Sequence, residues 1–178
     1  MRDTEPAFLA KPQLKIIEGR SELEELAHFM VDVFALPALP VKQRFSILLN
    51  RACRVFGMDY GYITLPQEPV SAVPFISARM VVPPAGPSKI TLTHMLTSNR
   101  KTLHYDNPEM APSADCPDQT GFVPSRFMGA PVVFDGRVFG TVEFGSRAGG
   151  GAPISAEQLM LVRMAAGLTA GTLVLLTD

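Results

Sequence analysis

Side chains able to do chemistry are few and scattered in this chain. Two cysteines and three histidines are spread over 178 residues. Cys116 stands in the run Ala114-Asp115-Cys116-Pro117-Asp118, inside an irregular, proline-rich stretch. A thiol attacks, or binds a metal, as its thiolate. Asp115 and Asp118 disfavour a further negative charge and raise the thiol's pKa. The run therefore reads as an exposed, incidental cysteine, with a redox-sensing thiol as the functional alternative. Cys53 borders an apolar helical stripe and reads as a small buried or half-buried side chain. His94 and His104 stand ten residues apart. With Cys116 they would supply part of a metal or haem site, but i,i+4 ligand spacing is missing and no fourth ligand is placed. One exposed and one partly buried, hydrogen-bonded histidine is the expectation. His28 lies at the polar boundary of the first helical pattern, and nothing is read into it.

Other chemistries lack their motifs. Ser125 and Ser146 sit at the ends of a hairpin pattern, with no nucleophile elbow. No phosphate loop precedes a helix, and Gly149-Gly150-Gly151 reads as a linker. The expectation is a protein that is not an enzyme, and the residues name no cofactor. With 16 basic and 17 acidic residues the net charge is −1, so no basic field exists to hold nucleic acid. No run of 18 uninterrupted apolar residues appears, which argues against a membrane span. The first residues lack the apolar stretch of a signal peptide. A cytoplasmic protein is expected. At 47% apolar residues the chain can build a real core, as one domain with extensions.

The elements that must position these residues follow from periodicity. Residues 1–20 read as an arm, and 21–178 as the domain. Ser21-x-x-Glu24 is a capping box that opens a leading helix over 21–36, with Leu23, Leu26, Met30, Val33 and Phe34 at helical spacing. Pro37 ends it. Val41 to Phe56 is a second helix, with Phe45, Leu48, Leu49, Ala52, Val55 and Phe56 as its buried stripe and Gly57 as its cap. Strands are expected over Met58–Leu65, Val73–Val82 and Thr102–Tyr105, with a short helix over Ile90–Ser98. Residues 106–124 form a long loop, a length that is usually functional. Ser155-x-x-Gln158 caps a final helix to Leu176. That helix is apolar round most of its circumference and so should be buried on two sides.

Between loop and final helix lies the strongest local signal. Asp135-Gly136 separates two β-prone runs, and a type I′ turn there needs positive φ at both residues. With a two-residue turn, Phe134 faces Arg137, Val133 faces Val138, Val132 faces Phe139 and Pro131 faces Gly140. Proline has no amide, so a neighbouring strand beside Pro131 should be missing or bulged.

The run from Met128 to Phe144, MGAPVVFDGRVFGTVEF, followed by a long helix, resembles the C-terminal signature of GAF domains. The step from Leu96 to Asp106, LTSNRKTLHYD, is also similar to that family, and the resemblance extends less tightly over residues 41–176. It implies an α+β fold: a six-stranded antiparallel sheet, with N- and C-terminal helices on one face and a ligand-pocket loop region on the other. The pocket lining would then come from Tyr62, the second strand near Ile76 to Arg79, His94, Tyr105, Phe122, Phe127 and the inward face of the hairpin. Arg79 and Arg126 would anchor a carboxylate or phosphate of a small ligand. Cys116 would match the tetrapyrrole-linking cysteine of the photosensory branch, except that Pro117 stands where that motif has histidine. The cyclic-nucleotide signature Asn-Lys-x-Phe-Asp-Glu is absent, and the cysteine set of the free methionine sulfoxide reductases is incomplete.

The resemblance implies a sensory or regulatory module that binds a small molecule and signals through its terminal helices to a partner protein. The alternative is a ligand-free module for homodimerisation or protein interaction, built on the same helices. A Cys116-based tetrapyrrole or redox sensor is the third reading.

Overall fold

The computed structural model describes residues 21–35, 39–64, 75–76, 91–112, 116–118 and 122–174. The expected arm over 1–20, most of the strand over 73–82, Arg79 and the end of the last helix lie outside these residues.

Helix α1 spans Glu22–Ala35 and α2 spans Val41–Phe56. The Ser21 hydroxyl accepts from the Glu24 amide at 3.2 Å, and the Ser21 amide donates to the Glu24 carboxylate at 3.0 Å. Two of the helix's orphan amides are thus satisfied reciprocally. Gly57 closes α2 in the left-handed region, with φ of 63°. Phe45, Leu48, Leu49, Ala52 and Phe56 are buried as their spacing requires, and Cys53 joins them.

The sheet runs β2-β1-β5-β4-β3, with every neighbouring pair antiparallel. Its strands are β1 (Tyr60–Thr64), β2 (Phe75–Ile76), β3 (Leu103–Tyr105), β4 (Arg126–Phe134) and β5 (Arg137–Ser146). This corrects the six-stranded expectation: among the described residues there are four strands of three to ten residues and a two-residue fifth. Between β2 and β3 lies helix α3, Leu92–Asn99. It begins two residues later than expected because Thr91 caps it, its side chain accepting from the His94 amide.

Asp135 and Gly136 both have positive φ, 46° and 69°, as a type I′ turn demands. Phe134 faces Arg137 and Val133 faces Val138. Beyond that the expected register fails: Val132 faces Gly140 and Pro131 faces Thr141. One residue, Phe139, is extra, and the ladder is irregular between Val132 and Val133. A bulge of this kind shifts by one every later pairing and exchanges the faces of the strand. The β3 ladder reaches β4 only from Phe127 to Gly129, so Pro131 has no β3 partner.

Helix α4, Ala156–Val174, opens on the second capping box, with Ser155 and Gln158 exchanging amide bonds of 2.9 and 3.2 Å. With α1 and α2 it covers one face of the sheet. There Met128, Ala130 and Val132 of β4, Val142 and Phe144 of β5 and Ile63 of β1 pack with Leu26, Met30, Leu48, Leu161 and Ala165 into one core. Phe56 meets Phe144 edge to face, with centroids 5.1 Å apart. The final helix is buried against both the sheet and the leading helices, but Met160, Arg163, Gly167 and Gly171 form an exposed stripe. Helix α3 lies on the opposite face.

Candidate functional site

Alternation along the central strands puts Tyr60 and Tyr62 of β1, Thr141, Glu143 and Gly145 of β5, and Phe127 and Gly129 of β4 on the α3 face. Tyr62 is paired directly with Glu143, which is paired in turn with Gly129. Glu143 is wholly buried, at 0% exposure. Three hydroxyls reach its carboxyl. Tyr62 donates to Oε2 at 2.8 Å, and Thr93 of α3 and Thr141 donate to Oε1 at 2.7 and 2.5 Å. One acid therefore joins β1, β5 and α3. Burial pushes its pKa up to about 7; the three hydroxyl bonds pull it down, and the negative charge of Asp118 adds to the rise.

Gly129 makes room for this arrangement. A Cβ there would stand 2.7 Å from Leu96 Cδ1 and 3.2 Å from Glu143 Cγ. The missing side chain lets α3 settle on the sheet beside the acid.

A second carboxyl, Asp118, is also fully buried. The Tyr60 hydroxyl donates to it, and burial together with this negative partner holds the Tyr60 phenol protonated far above its ordinary range. Tyr60 stacks on Tyr62, with rings 3° from parallel and 6.1 Å apart. The Asp118 amide donates to the Phe122 carbonyl at 2.8 Å, and the Leu92 amide donates to the Pro117 carbonyl at 2.9 Å. Residues 116–118 are thereby fastened to the start of α3 and to β1.

The sequence-predicted residues divide. Tyr62, Tyr105 and Phe127 lie on this face and are buried; Tyr105 and Phe127 stack at 5.8 Å within a small core with Leu92, Leu96 and Cys116. Burial raises the Tyr105 phenol, whose hydroxyl donates to the Pro124 carbonyl at 3.2 Å. Cys116 corrects its expectation. It is 3% exposed, not exposed, because the loop is tied beneath α3; its sulfur lies 3.7 Å from Met95 Sδ, and burial pushes its thiol up. Phe122 is 47% exposed and lies under the Arg147 guanidinium, 4.2 Å from the ring centroid, so it does not line the buried cluster. His94 is exposed, beside Ser98 at 3.3 Å, and His104 is exposed on the face opposite Tyr105. Neither histidine is partly buried.

Arg126 lies on the wrong face for its proposed role. It shares the side of β4 that carries Met128, and it reaches the segment before α4. There its Nη2 donates to the Ala152 carbonyl at 2.6 Å and its Nε lies 3.6 Å from Asp106. Asp106 also accepts from the Ile154 amide at 3.0 Å. This is a clasp between β3, β4 and the final helix. Arg79 lies outside the described residues. Among the described residues no cluster of three or more His, Cys, Asp or Glu side chains could hold a metal, and no helix is long and apolar enough to cross a membrane.

Sequence reasoning missed Tyr60, Thr93, Asp118, Thr141 and Glu143. The signal available for Glu143 was an acid in the middle of a strand that is otherwise apolar or small. The bulge hid its face.

The sheet with three helices on one side and a polar cluster under a fourth can now be set beside known proteins. The family model for the GAF domain matches residues 40–173. This chain belongs to the GAF domain family. Comparison with curated proteins gives no match. Among solved structures it is similar to the GAF domain of a phosphoenolpyruvate-protein phosphotransferase from Coxiella burnetii, at 13% identity and a TM-score of 0.61 over 85% of this chain and 93% of that one. It is also similar to the nlh2 GAF domain of A. Aeolicus in an inactive state, at 10% identity and a TM-score of 0.60 over 86% and 96%. A third likeness is to free methionine-R-sulfoxide reductase from Neisseria meningitidis in complex with its substrate, at 10% identity and a TM-score of 0.55 over 84% of each chain. At such identities the likeness shows the fold. GAF domains are in general sensory and regulatory domains of signalling proteins, and this one carries its buried polar residues on the face opposite the terminal helices.

Proposed function

We propose that this GAF domain is a cytoplasmic, non-catalytic sensor that takes a small molecule on the α3 face of its sheet and signals through its terminal helices. The observation that supports this most is Glu143: a fully buried carboxyl ringed by hydroxyls from three elements. Burying a polar cluster in the centre of a sheet costs stability against an apolar filling, so it is the natural place to seek recognition chemistry. Tyr62, Thr93 and Thr141 offer a ligand hydroxyls that can donate or accept, and Glu143 offers a carboxyl. Tyr60 and Tyr62 supply stacked rings.

The same strand carries the signal outward. Val142 and Phe144 flank Glu143 and pack in the helix-side core, and Phe144 meets Phe56 of α2. A ligand that displaces Glu143 shifts two residues that hold the helices. The helices are the two-state element whose packing it biases.

Native mass spectrometry, compared with the denatured mass, tests this reading. A non-covalent mass excess in protein from its native host, reduced in Tyr62→Phe, is the expected result. An apo mass throughout, with no small molecule of a broad panel raising the melting temperature, counts against it. An excess that survives denaturation assigns a covalent group, with Cys116 as the first place to look.

A second reading, homodimerisation through the terminal helices, is favoured by two large apolar side chains on their outer surfaces. Val31 of α1 is 51% exposed and Met160 of α4 is 59% exposed. A monomeric mass by light scattering at micromolar concentration removes it.

A further inference from the structure

We propose that Glu143 is a proton-operated latch for α3: the helix lies closed on the sheet while the acid holds a proton, and opens more often once the proton has left. The latch needs no ligand and goes beyond the sensing role above.

The geometry is that of one side-chain tie between helix and acid. Thr93 is the α3 side chain bonded to the acid, at 2.7 Å, while Tyr62 and Thr141 bond it from the sheet. On either side Leu92 and Leu96 pack on Tyr105, Phe127 and their neighbours, and the Leu92 amide bonds the Pro117 carbonyl at 2.9 Å. All three partners of the carboxyl are hydroxyls, and a hydroxyl donates or accepts as required. The ionised acid accepts from all three. The neutral acid turns one of them round and donates to it. The closed helix thus keeps its Thr93 contact with the acid in either form.

The two forms differ in solvation. A buried carboxylate is costly, and the cost is relieved when α3 lifts and water reaches the acid. Among the described residues the groups around Glu143 do not offset it. Tyr60 and Tyr62 of β1 share its face and Asp118 acts on it from the segment below α3, while Cys116 and Tyr105 lie in the neighbouring apolar cluster. Phe127 and Gly129 of β4 are not ionisable. His94, on α3 itself, is exposed and turned to Ser98. Among the described residues, then, no cation stands against the carboxyl, and Asp118 adds charge of the same sign. Burial places the titration of Glu143 at about 7, so the latch would work near neutral pH.

Amide hydrogen exchange between pH 5 and 9, with the intrinsic pH dependence divided out, reads the latch directly. In the wild type, protection of the α3 amides falls about tenfold between pH 6 and pH 8, as linkage between a closed-state value near 7 and an ordinary open-state value requires. At every pH the α3 amides are less protected than the core amides of α2, which open only with the whole fold. Glu143→Gln keeps α3 protected at every pH. Thr93→Val removes the helix's own bond while the acid stays buried, and lowers α3 protection already at pH 6. Flat protection of α3 in the wild type overturns the proposal. So does α3 protection equal to that of α2 at every pH, or an unchanged fall in Glu143→Gln. Should Glu143→Gln not fold, the wild-type contrast of α3 with α2 and the Thr93→Val variant decide.

Discussion

The two faces of the sheet are made from alternate residues of the same strands, and they differ in nearly every physical respect. The helix face is a continuous apolar core in which β4 and β5 supply Met128, Ala130, Val132, Val142 and Phe144. The α3 face has two buried carboxyls and the hydroxyls of two tyrosines and two threonines at its centre, with a small apolar cluster beside it. Packing on the first face is non-directional and hard to change without a large loss. The second depends on directional bonds to groups that can gain or lose a proton. Stability thus resides mainly on one side and responsiveness on the other, and a single strand, β5, serves both.

Substitutions on the two faces should separate these roles. The largest effect belongs to the helix face. Phe144→Ala removes a fully buried ring packed on Phe56, and should cost about 3–5 kcal/mol by chemical denaturation. A loss below about 1 kcal/mol would mean that the helix layer is not the main core.

Next comes the pH dependence of stability. The folded pKa of Glu143 is raised from 4.5 to about 7. Between those values the unfolded chain has released the proton and the folded chain still holds it. Stability therefore falls as pH rises through this window, by roughly 3 kcal/mol if Glu143 acts alone, and is steady below and above it. In Glu143→Gln that fall should disappear. Denaturation curves from pH 4 to pH 8 measure both.

The smallest effect lies where the polar face meets its helix. Gly129→Ala places a methyl against Leu96 and Glu143, and should cost about 1–3 kcal/mol, with loss of α3 protection before that of α2. Equal loss in both helices would show that α3 is not separable from the core.

Much of the helix face was legible in the sequence. The two capping boxes, the bounds of α2 and the Asp135-Gly136 turn rest on local chemistry, and the structure shows each. Local rules did not reach the polar face. Extending the two-residue hairpin without interruption pairs Met128 with Glu143 and turns the acid toward the helices. The extra residue at Phe139 reverses this, sending Val142 and Phe144 to the core and Thr141 and Glu143 to the other side. A single inserted residue in a strand leaves little trace in composition, although its consequence is a burial pattern that changes sides. Cys116 was misplaced for a similar reason. Its acidic neighbours suggested exposure, but Tyr60 and Leu92, both distant in sequence, hold the segment down. Arg126 was assigned to a ligand by its chemistry alone. Its position on the Met128 side of β4 makes it part of the clasp with Asp106.

The most direct test of the contrast between the faces is the titration of Glu143 itself. Carbon-13 NMR of the side-chain carboxyl, followed from pH 3 to pH 9 in the wild-type protein, reads its proton without a substitution. A midpoint near 7 is expected, and it would place a proton-responsive acid at the centre of the sheet. A midpoint near 4.5, the ordinary value from which it is raised, would mean that water reaches the carboxyl and that the α3 face is not the dry, poised site described above.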